Sequence, residues 1–585
     1  MDDRSSTAPE HPQEVARRYL EADGRAIHYR VIGDGPAVIM LHDSPRSSRL
    51  HLATMHALSR HFRVYALDTP GYGNSEPLGS ADPTIADFAT ALDAVIRALG
   101  IEGAPIYATH TSAKIALEYA ASRANSYGEH EAKRTGTAQT GCLILDGLSI
   151  PVARTDPAFI SAYMRPFLLD EAGAYLAAEW TRMRDMVRWF PWFAPSPQTR
   201  MPTAQPTDAW ISAYMIDFLS AGPNYSSAYA AAMRYDPMPS LMRVTSPVLV
   251  AARSDDVLYA SLDRVPVAEN TALAVKRLPP DLATWLAWLE NTLASAVENM
   301  SPAPPLPAQP TTGAIYVDLP HGRMRVHRSG PPGDRPLLIL SAPTTLQALA
   351  WQAGSPDRST LVPELPGFGE SDPLPSPTLE AATDALAAML EQLGYAQVDL
   401  LAIGFATPLG CTLARRYPGA IARVILDGCY SLDEQEARTL AEQVAPVFPF
   451  DRGGGHIHRT WHMLRDGEAA WPWHDGSADA ARGLAPILAA RPLHDALLGV
   501  LKQPERYGDC ARAALQSDEE ARYPAFPQNA LLLHRLGDRG YAGATNLAAR
   551  LPRASLEERP ANLTDTVQIV THFLSKDAHV AEAVA

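Results

Sequence analysis

The strongest constraint on this chain is that it contains two versions of the same pattern. LDTPGYGNSEPL at 67–78 returns as ELPGFGESDPL at 364–374, with Pro70 matching Pro366 at an offset of 296. LILDG at 143–147 returns as VILDG at 424–428, an offset of 281. Trp180, Arg184 and Asp185, followed by Pro191-Trp192, return as Trp461, Arg465 and Asp466, followed by Pro472-Trp473, again at 281. Several rare residues kept at one spacing identify a tandem duplication. The fall from 296 to 281 places an extra segment in the first copy, in the polar, aperiodic stretch 122–141, read as a surface loop. Between the copies, SPAPPLPAQPTT (301–312) carries five prolines in twelve residues and reads as a semi-stiff, extended spacer. The expected domains are therefore 1–300 and 313–585, joined by 301–312.

Each copy alternates short apolar runs with helical periodicity. In the first, PAVIML (36–41), FRVYAL (62–67), PIYA (105–108), CLILD (142–146) and PVLVAA (247–252) read as strands. TIADFATALDAVIRAL (84–99) and SAKIALEYAAS (112–122) read as helices. PLLIL, STLVPEL, VDLLAI, ARVILD and NALLLH repeat the strand series in the second copy. Continuous apolar strands separated by helices predict a mostly parallel sheet covered on both faces, an α/β fold. About 100 residues rich in Trp, Met and Arg separate LILDG from PVLVAA without a clear strand. They predict a helical cap at about 150–240, with a counterpart at about 430–525, over the strand ends where such sheets place ligands.

Composition excludes several classes. A net charge of −15 argues against nucleic-acid binding, which rests on a basic footprint. Four scattered cysteines without CxxC spacing give neither a disulfide scaffold nor a zinc or redox motif. The polar N-terminus has no signal-peptide core, and no apolar run is long enough to span a membrane, so a cytoplasmic protein without a membrane partner is expected.

Both copies resemble the α/β-hydrolases that carry an inserted cap. The residues behind this are His42-Asp43 after a core strand, the PGYGNS and PGFGES turns, and the strand–turn–helix elements at 105–122 and 399–416. That family places its nucleophile on a strained strand-to-helix elbow, with the next backbone N–H in the oxyanion hole. Here the elbow falls at Ala108-Thr109-His110-Thr111-Ser112, so His110 stands where serine is expected. HTSAK also resembles the HTG elbow of one branch of these hydrolases. In the second copy Gly404 takes the position and offers no side chain. The resemblance implies an acid at Asp255 (or its neighbour Asp256) and Asp538, or at Asp146 and Asp427 one strand earlier. It also implies a late histidine, which the first copy lacks; in the second, Arg553 is read at that place.

The residues leave three functional readings open. The first is an enzyme acting on a small, mostly apolar molecule by hydrolysis or base-driven cleavage. His110 would be the general base, Asp146 or Asp255 would orient it, and the N–H groups of Asp43 and Thr111 would hold an oxyanion. The second is a ligand-binding or interaction protein that keeps the fold after losing its catalytic residues. The third is cofactor-free oxygen chemistry, which the resemblance implies through a His/Asp pair. No cofactor is required by any of them. His42, Ser112, Trp180, His456 and Trp461 are pocket or cap candidates, Ser112 more as a small residue at a tight elbow than as a nucleophile. His456-x-His458-x-x-x-His462 lacks companions for a ligand set, so no metal is expected. The paired Trp–Arg–Asp triplets point to cap architecture. Two fused, diverged copies are expected to pack as an internal pseudo-dimer with one working and one supporting half.

Overall fold

The computed structural model describes residues 14–126, 140–201, 204–333, 335–536 and 540–575. The 122–141 insertion lies for the most part outside them, as does Asp538. By contacts the chain forms two units, Met1–Leu168 with Thr181–Pro310, and Leu169–Trp180 with Thr311–Ala585.

The first unit holds an eight-stranded sheet. Its strands are β1 (Ala16–Ala22), β2 (Arg25–Ile32), β3 (Ala37–Leu41), β4 (Arg63–Leu67), β5 (Ile106–Thr109), β6 (Leu143–Asp146), β7 (Val248–Arg253) and β8 (Leu273–Leu278), in the order β1-β2-β4-β3-β5-β6-β7-β8. The second unit holds β9 (Gly313–Leu319), β10 (Gly322–Ser329), β11 (Leu337–Ala342), β12 (Thr360–Pro363), β13 (Val398–Gly404), β14 (Ile421–Asp427), β15 (Asn529–His534) and β16 (Ala554–Glu558). Read from β9, its order is β9-β10-β12-β11-β13-β14-β15-β16, the same winding. These are two α/β-hydrolase folds in tandem, each mostly parallel with flanking helices.

The central strands are where continuous apolar sequence put them: every residue of β3 and β6 is buried. The antiparallel hairpins β1–β2 and β9–β10, and the edge strands β8 and β16, escaped the sequence reading. Their cause is visible in β16, where four of five residues are exposed, and in β1, where Arg17, Arg18 and Glu21 leave no continuous apolar run. An edge or one-sided strand needs no apolar run. The helix expected at 84–99 spans Ile85–Leu99, started by a Thr84–Asp87 capping box and stopped by Gly100 at φ 65°. Between β6 and β7, and between β14 and β15, the chain is helical, as the caps require.

Register sets the site. Leu41 pairs with Ala108, Thr109 with Asp146, and Asp146 with Ala251, so the carboxyl ends of β3, β5, β6 and β7 finish side by side. His42, His110, Gly147 and the turn after Arg253 therefore converge without any need for proximity in sequence.

The repeated turn after β4 and after β12 is built twice on the same plan. The Asp68 carboxylate takes His28 Nδ1 at 2.7 Å and the Asn74 N–H at 2.9 Å. The Glu364 carboxylate takes His327 Nε2 at 3.0 Å, Arg325 Nη1 at 3.1 Å and the Glu370 N–H at 2.6 Å. A Cβ on Gly73 or Gly369 would collide with these carboxylates, which explains the second glycine of each PGYG/PGFG turn. Burial opposes the charge on Glu364, but Arg325 and His327 overcome it and hold the carboxyl down to about 2. A depressed carboxyl stabilises the fold in full above its ordinary titration range and loses that contribution as pH falls towards about 2. Glu364→Gln is expected to cost about 3 kcal/mol at neutral pH and to flatten the acid limb of a melting-temperature profile. Thermal melts between pH 3 and 7 check it; unchanged curves would show that the brace contributes nothing.

Candidate active site

His110 follows β5 and opens the helix Thr111–Ser126. Its φ is 45°, and among the described non-glycine residues only Asp23 shares a positive φ. A left-handed conformation costs a non-glycine residue of order 1–3 kcal/mol and persists only where its surroundings impose it. Here the His110 N–H donates to the Asp146 carbonyl at 3.0 Å, and the His110 carbonyl accepts from the Ala113 N–H at 3.1 Å. The same turn in the second unit has Gly404 at φ 56°, where the conformation is cheap.

The imidazole lies against Gly147. A Cβ on that glycine would stand 2.5 Å from Cδ2 and 2.7 Å from Nε2 of His110. Beyond the ring, Nε2 meets Asp256 Oδ2 at 2.9 Å. Asp256 is itself fixed, its Oδ1 accepting the Leu258 N–H at 2.7 Å. The His110 side chain is 38% exposed and that of Asp256 16%. Burial opposes the charge on His110, but the hydrogen bond and charge of Asp256 outweigh it, with Asp43 and Asp146 adding at longer range. The imidazole is pushed up to about 9. Burial likewise opposes ionisation of Asp256, and His110 overcomes it, so that carboxyl is held down. At neutral pH the pair is imidazolium and carboxylate.

The two acids expected beside His110 are placed otherwise. Of Asp255 and its neighbour, it is Asp256 that meets His110; the Asp255 carboxylate is half-exposed and pairs with Arg253 Nε at 3.3 Å. Asp146 is buried and meets other partners, its Oδ2 accepting from Tyr107 Oη at 2.8 Å and Trp285 Nε1 at 2.9 Å. Burial raises its pKa, and it acts on His110 through its carbonyl and at a distance through its charge. Tyr107, Gly147 and Trp285 were missed. The glycine of LILDG was the available signal, being retained in both copies at a strand end.

The other candidates sort by geometry. Both ring nitrogens of His42 are used: Nδ1 donates to the Asp43 carbonyl at 2.9 Å and Nε2 accepts the Thr69 N–H at 3.0 Å. Ser112 is buried and its hydroxyl donates to the His42 carbonyl, so its oxygen is not presented as a nucleophile. The N–H groups of Asp43 and Thr111 meet no acceptor among the described residues, and Asp43 Oδ1 is a buried acceptor without a donor. Burial raises the phenols of Tyr214 and Tyr229 on the cap, and the charge of Asp43 reaches both.

Trp180, His456 and Trp461 all fall in the second unit. Trp180 Nε1 donates to the Arg452 carbonyl at 3.1 Å, and its ring meets the edge of His456 at 5.6 Å. His456 Nδ1 accepts the Asp451 N–H at 3.2 Å. Trp461 is wholly buried and meets Tyr175 edge-on at 5.7 Å. These contacts serve packing, and none of the three lines the cleft over Gly404. Asp427 Oδ2 accepts from Arg559 Nε at 2.7 Å, both side chains buried. Arg559, immediately after β16, therefore takes the place read for Arg553, which precedes that strand. No three His, Cys, Asp or Glu side chains converge as a metal set among the described residues. Nor is any described helix long and apolar enough to cross a membrane.

Residues 36–256 and 346–454, more than half of the chain, match the alpha/beta hydrolase fold family, and the chain belongs to it. A 57-residue stretch is 33% identical to the pimeloyl-[acyl-carrier protein] methyl ester esterase of Aliivibrio fischeri (strain MJ11). That match covers 10% of this chain and 22% of the esterase's length. Among solved structures, the epoxide hydrolase VrEH1 from Vigna radiata is 17% identical over 49% of this chain and 99% of its own, with a TM-score of 0.37. The enol-lactonase from Burkholderia xenovorans LB400 is 16% identical over 48% of this chain and 100% of its own, with a TM-score of 0.34.

Proposed function

We propose that the N-terminal unit is the working half of a hydrolase-fold enzyme that cleaves a small, mostly apolar molecule, with the His110–Asp256 pair as its proton acceptor. The observation that carries this is the 2.9 Å contact between Nε2 and Oδ2, held by a residue in a costly left-handed conformation. Asp256 holds the ring through Nε2, and Nδ1 makes no hydrogen bond to the described residues, leaving it for a substrate proton or for water. The N–H groups of Asp43 and Thr111 would receive the oxyanion formed. Resting as imidazolium, His110 must first lose its proton to solvent. With a pKa of about 9, the base form is about one molecule in a hundred at pH 7.

Base catalysis therefore has a distinctive pH dependence. The value of kcat/KM is expected to rise about tenfold per pH unit from 6 to 8, to bend near pH 9 and to level above it. A panel of small chromogenic esters, enol-lactones and epoxides, followed across this range with an oxygen electrode in parallel, supplies the measurement. A profile that is flat below pH 9 and falls above it would assign His110 as proton donor instead. Oxygen uptake in step with turnover would replace hydrolysis by oxygenation.

A further inference from the structure

We infer that the second unit carries a separate binding cleft over Gly404 for a flat, uncharged aromatic molecule of about two rings, which it holds without converting. This goes beyond the reading of His110, which concerns the other unit. The first support is space. A side chain at Gly404 would meet nothing within 4 Å, and the cleft above it, open to solvent, has a cavity volume of about 130 Å³. Small-molecule sites are lined chiefly by apolar and aromatic groups, and this cleft is lined by Ile403, Phe405, Tyr430, Trp471 and Trp473 among others.

The second support is the wall. Tyr430 stacks on Trp471 with centroids 3.9 Å apart and planes at 15°, and Phe405 flanks the same indole at 5.7 Å and 30°. Tyr430 Oη lies 3.2 Å from the position of a Cβ on Gly428, the glycine that corresponds to Gly147 in the duplicated LILDG motif. A phenol thus borders this glycine where the first unit has the His110 ring. Near-parallel rings favour a planar guest, because offset stacking matches the ring quadrupoles.

Charge selects among planar guests. The only ionisable pair in the lining is Glu468 and Arg482, 3.9 Å apart, and their charges cancel. Both Glu468 oxygens already accept hydrogen bonds, from Gln347 Nε2 at 2.7 and 2.9 Å and from the Ile487 N–H at 3.0 Å, so the carboxylate is tied to the protein's own donors. Arg482 gives one N–H to the Gly467 carbonyl at 2.6 Å, leaving further guanidinium donors for an oxygen acceptor. No histidine or cysteine lines the cleft, and the hydroxyl of Ser341 is spent on the Thr344 carbonyl at 2.6 Å. The site has recognition groups, and the imidazole–carboxylate pair of the first unit has no counterpart in its lining.

Equilibrium dialysis of the full-length protein with 2-naphthol at pH 7 tests this, with 2-naphthoate as the charged comparison. One saturable site per chain is expected, with 2-naphthol recovered unchanged and 2-naphthoate at least tenfold weaker. Trp471→Ala and Phe405→Ala should each weaken 2-naphthol at least tenfold, and His110→Ala should leave that site intact. If Trp471→Ala fails to fold, the half-buried Phe405 carries the test. Absence of saturable binding, affinity indifferent to Phe405 and Trp471, or tighter binding of the naphthoate would each overturn the proposal. None of these outcomes depends on whether the N-terminal unit turns over a substrate.

Discussion

His110→Ala is expected to lower turnover by about 10²–10⁴-fold, the usual contribution of a positioned acid–base group. Any substrate from the ester, lactone and epoxide panel that gives a rate with the native protein can report it. The side chain has no substitute nearby: Ser112 is turned to the His42 carbonyl, and His42 has both nitrogens engaged. Stability should fall by less than activity, for two reasons. Loss of the ring leaves the partly buried Asp256 carboxylate unpaired, which is unfavourable. The space that the ring fills over Gly147 is also left empty, which costs packing. His110→Gly should be the better folded of the two variants, since glycine takes the left-handed turn without strain, as Gly404 does in the second unit. Turnover within threefold of native in either variant, with the melt preserved, would remove His110 from the chemistry.

Asp256→Asn tests how the imidazole is tuned. The carboxylate is what holds His110 up to about 9 against burial, so the amide should let its pKa fall towards or below the ordinary value near 6.5. The rising limb of kcat/KM should then move at least two pH units to the acid side. The base form becomes abundant at pH 7 but weaker, and its orientation is looser, so the plateau should fall while the midpoint shifts. Stability supplies a second reading with a fixed sign. A raised imidazole pKa stabilises the native fold in full below about 6.5 and loses that contribution as pH rises through about 9. Native protein should therefore lose melting temperature between pH 7 and 10, and Asp256→Asn should show a smaller decline over the same window.

Much of the architecture was legible because it rests on burial. Strands with continuous apolar sequence could be read directly, and the duplication made each copy a check on the other. The edge strands β8 and β16 were lost because many of their residues face water, and the hairpins because charged and polar residues such as His28, Arg30, Arg325 and His327 interrupt their apolar runs. The elbow was legible for a different reason. His110 sits between a strand and a helix that both have clear patterns, and the small residues around it permit only a tight turn. The sequence left Asp255 and Asp256 as alternatives for the acid, because they are adjacent and their directions depend on the turn after β7. That turn is set by the Asp256 N–H donating to the Arg253 carbonyl at 3.0 Å and by the Leu258 N–H capping the Asp256 carboxylate. Neither bond has a sequence signature beyond the acidic pair itself. Arg559 was misread as Arg553 for a related reason. With β16 unrecognised, the residue following it could not be located. The late residue of the second unit belongs to Asp427, and in the first unit Tyr107 and Trp285 hold the corresponding Asp146.

The most direct test is an NMR titration of the His110 ring protons, assigned by their disappearance in His110→Ala. An apparent pKa near 9 that drops by two or more units in Asp256→Asn is the expected result. A value near 6.5 in the native protein, unmoved by the amide, would mean that the pair does not form in solution, and the base assignment would fall with it.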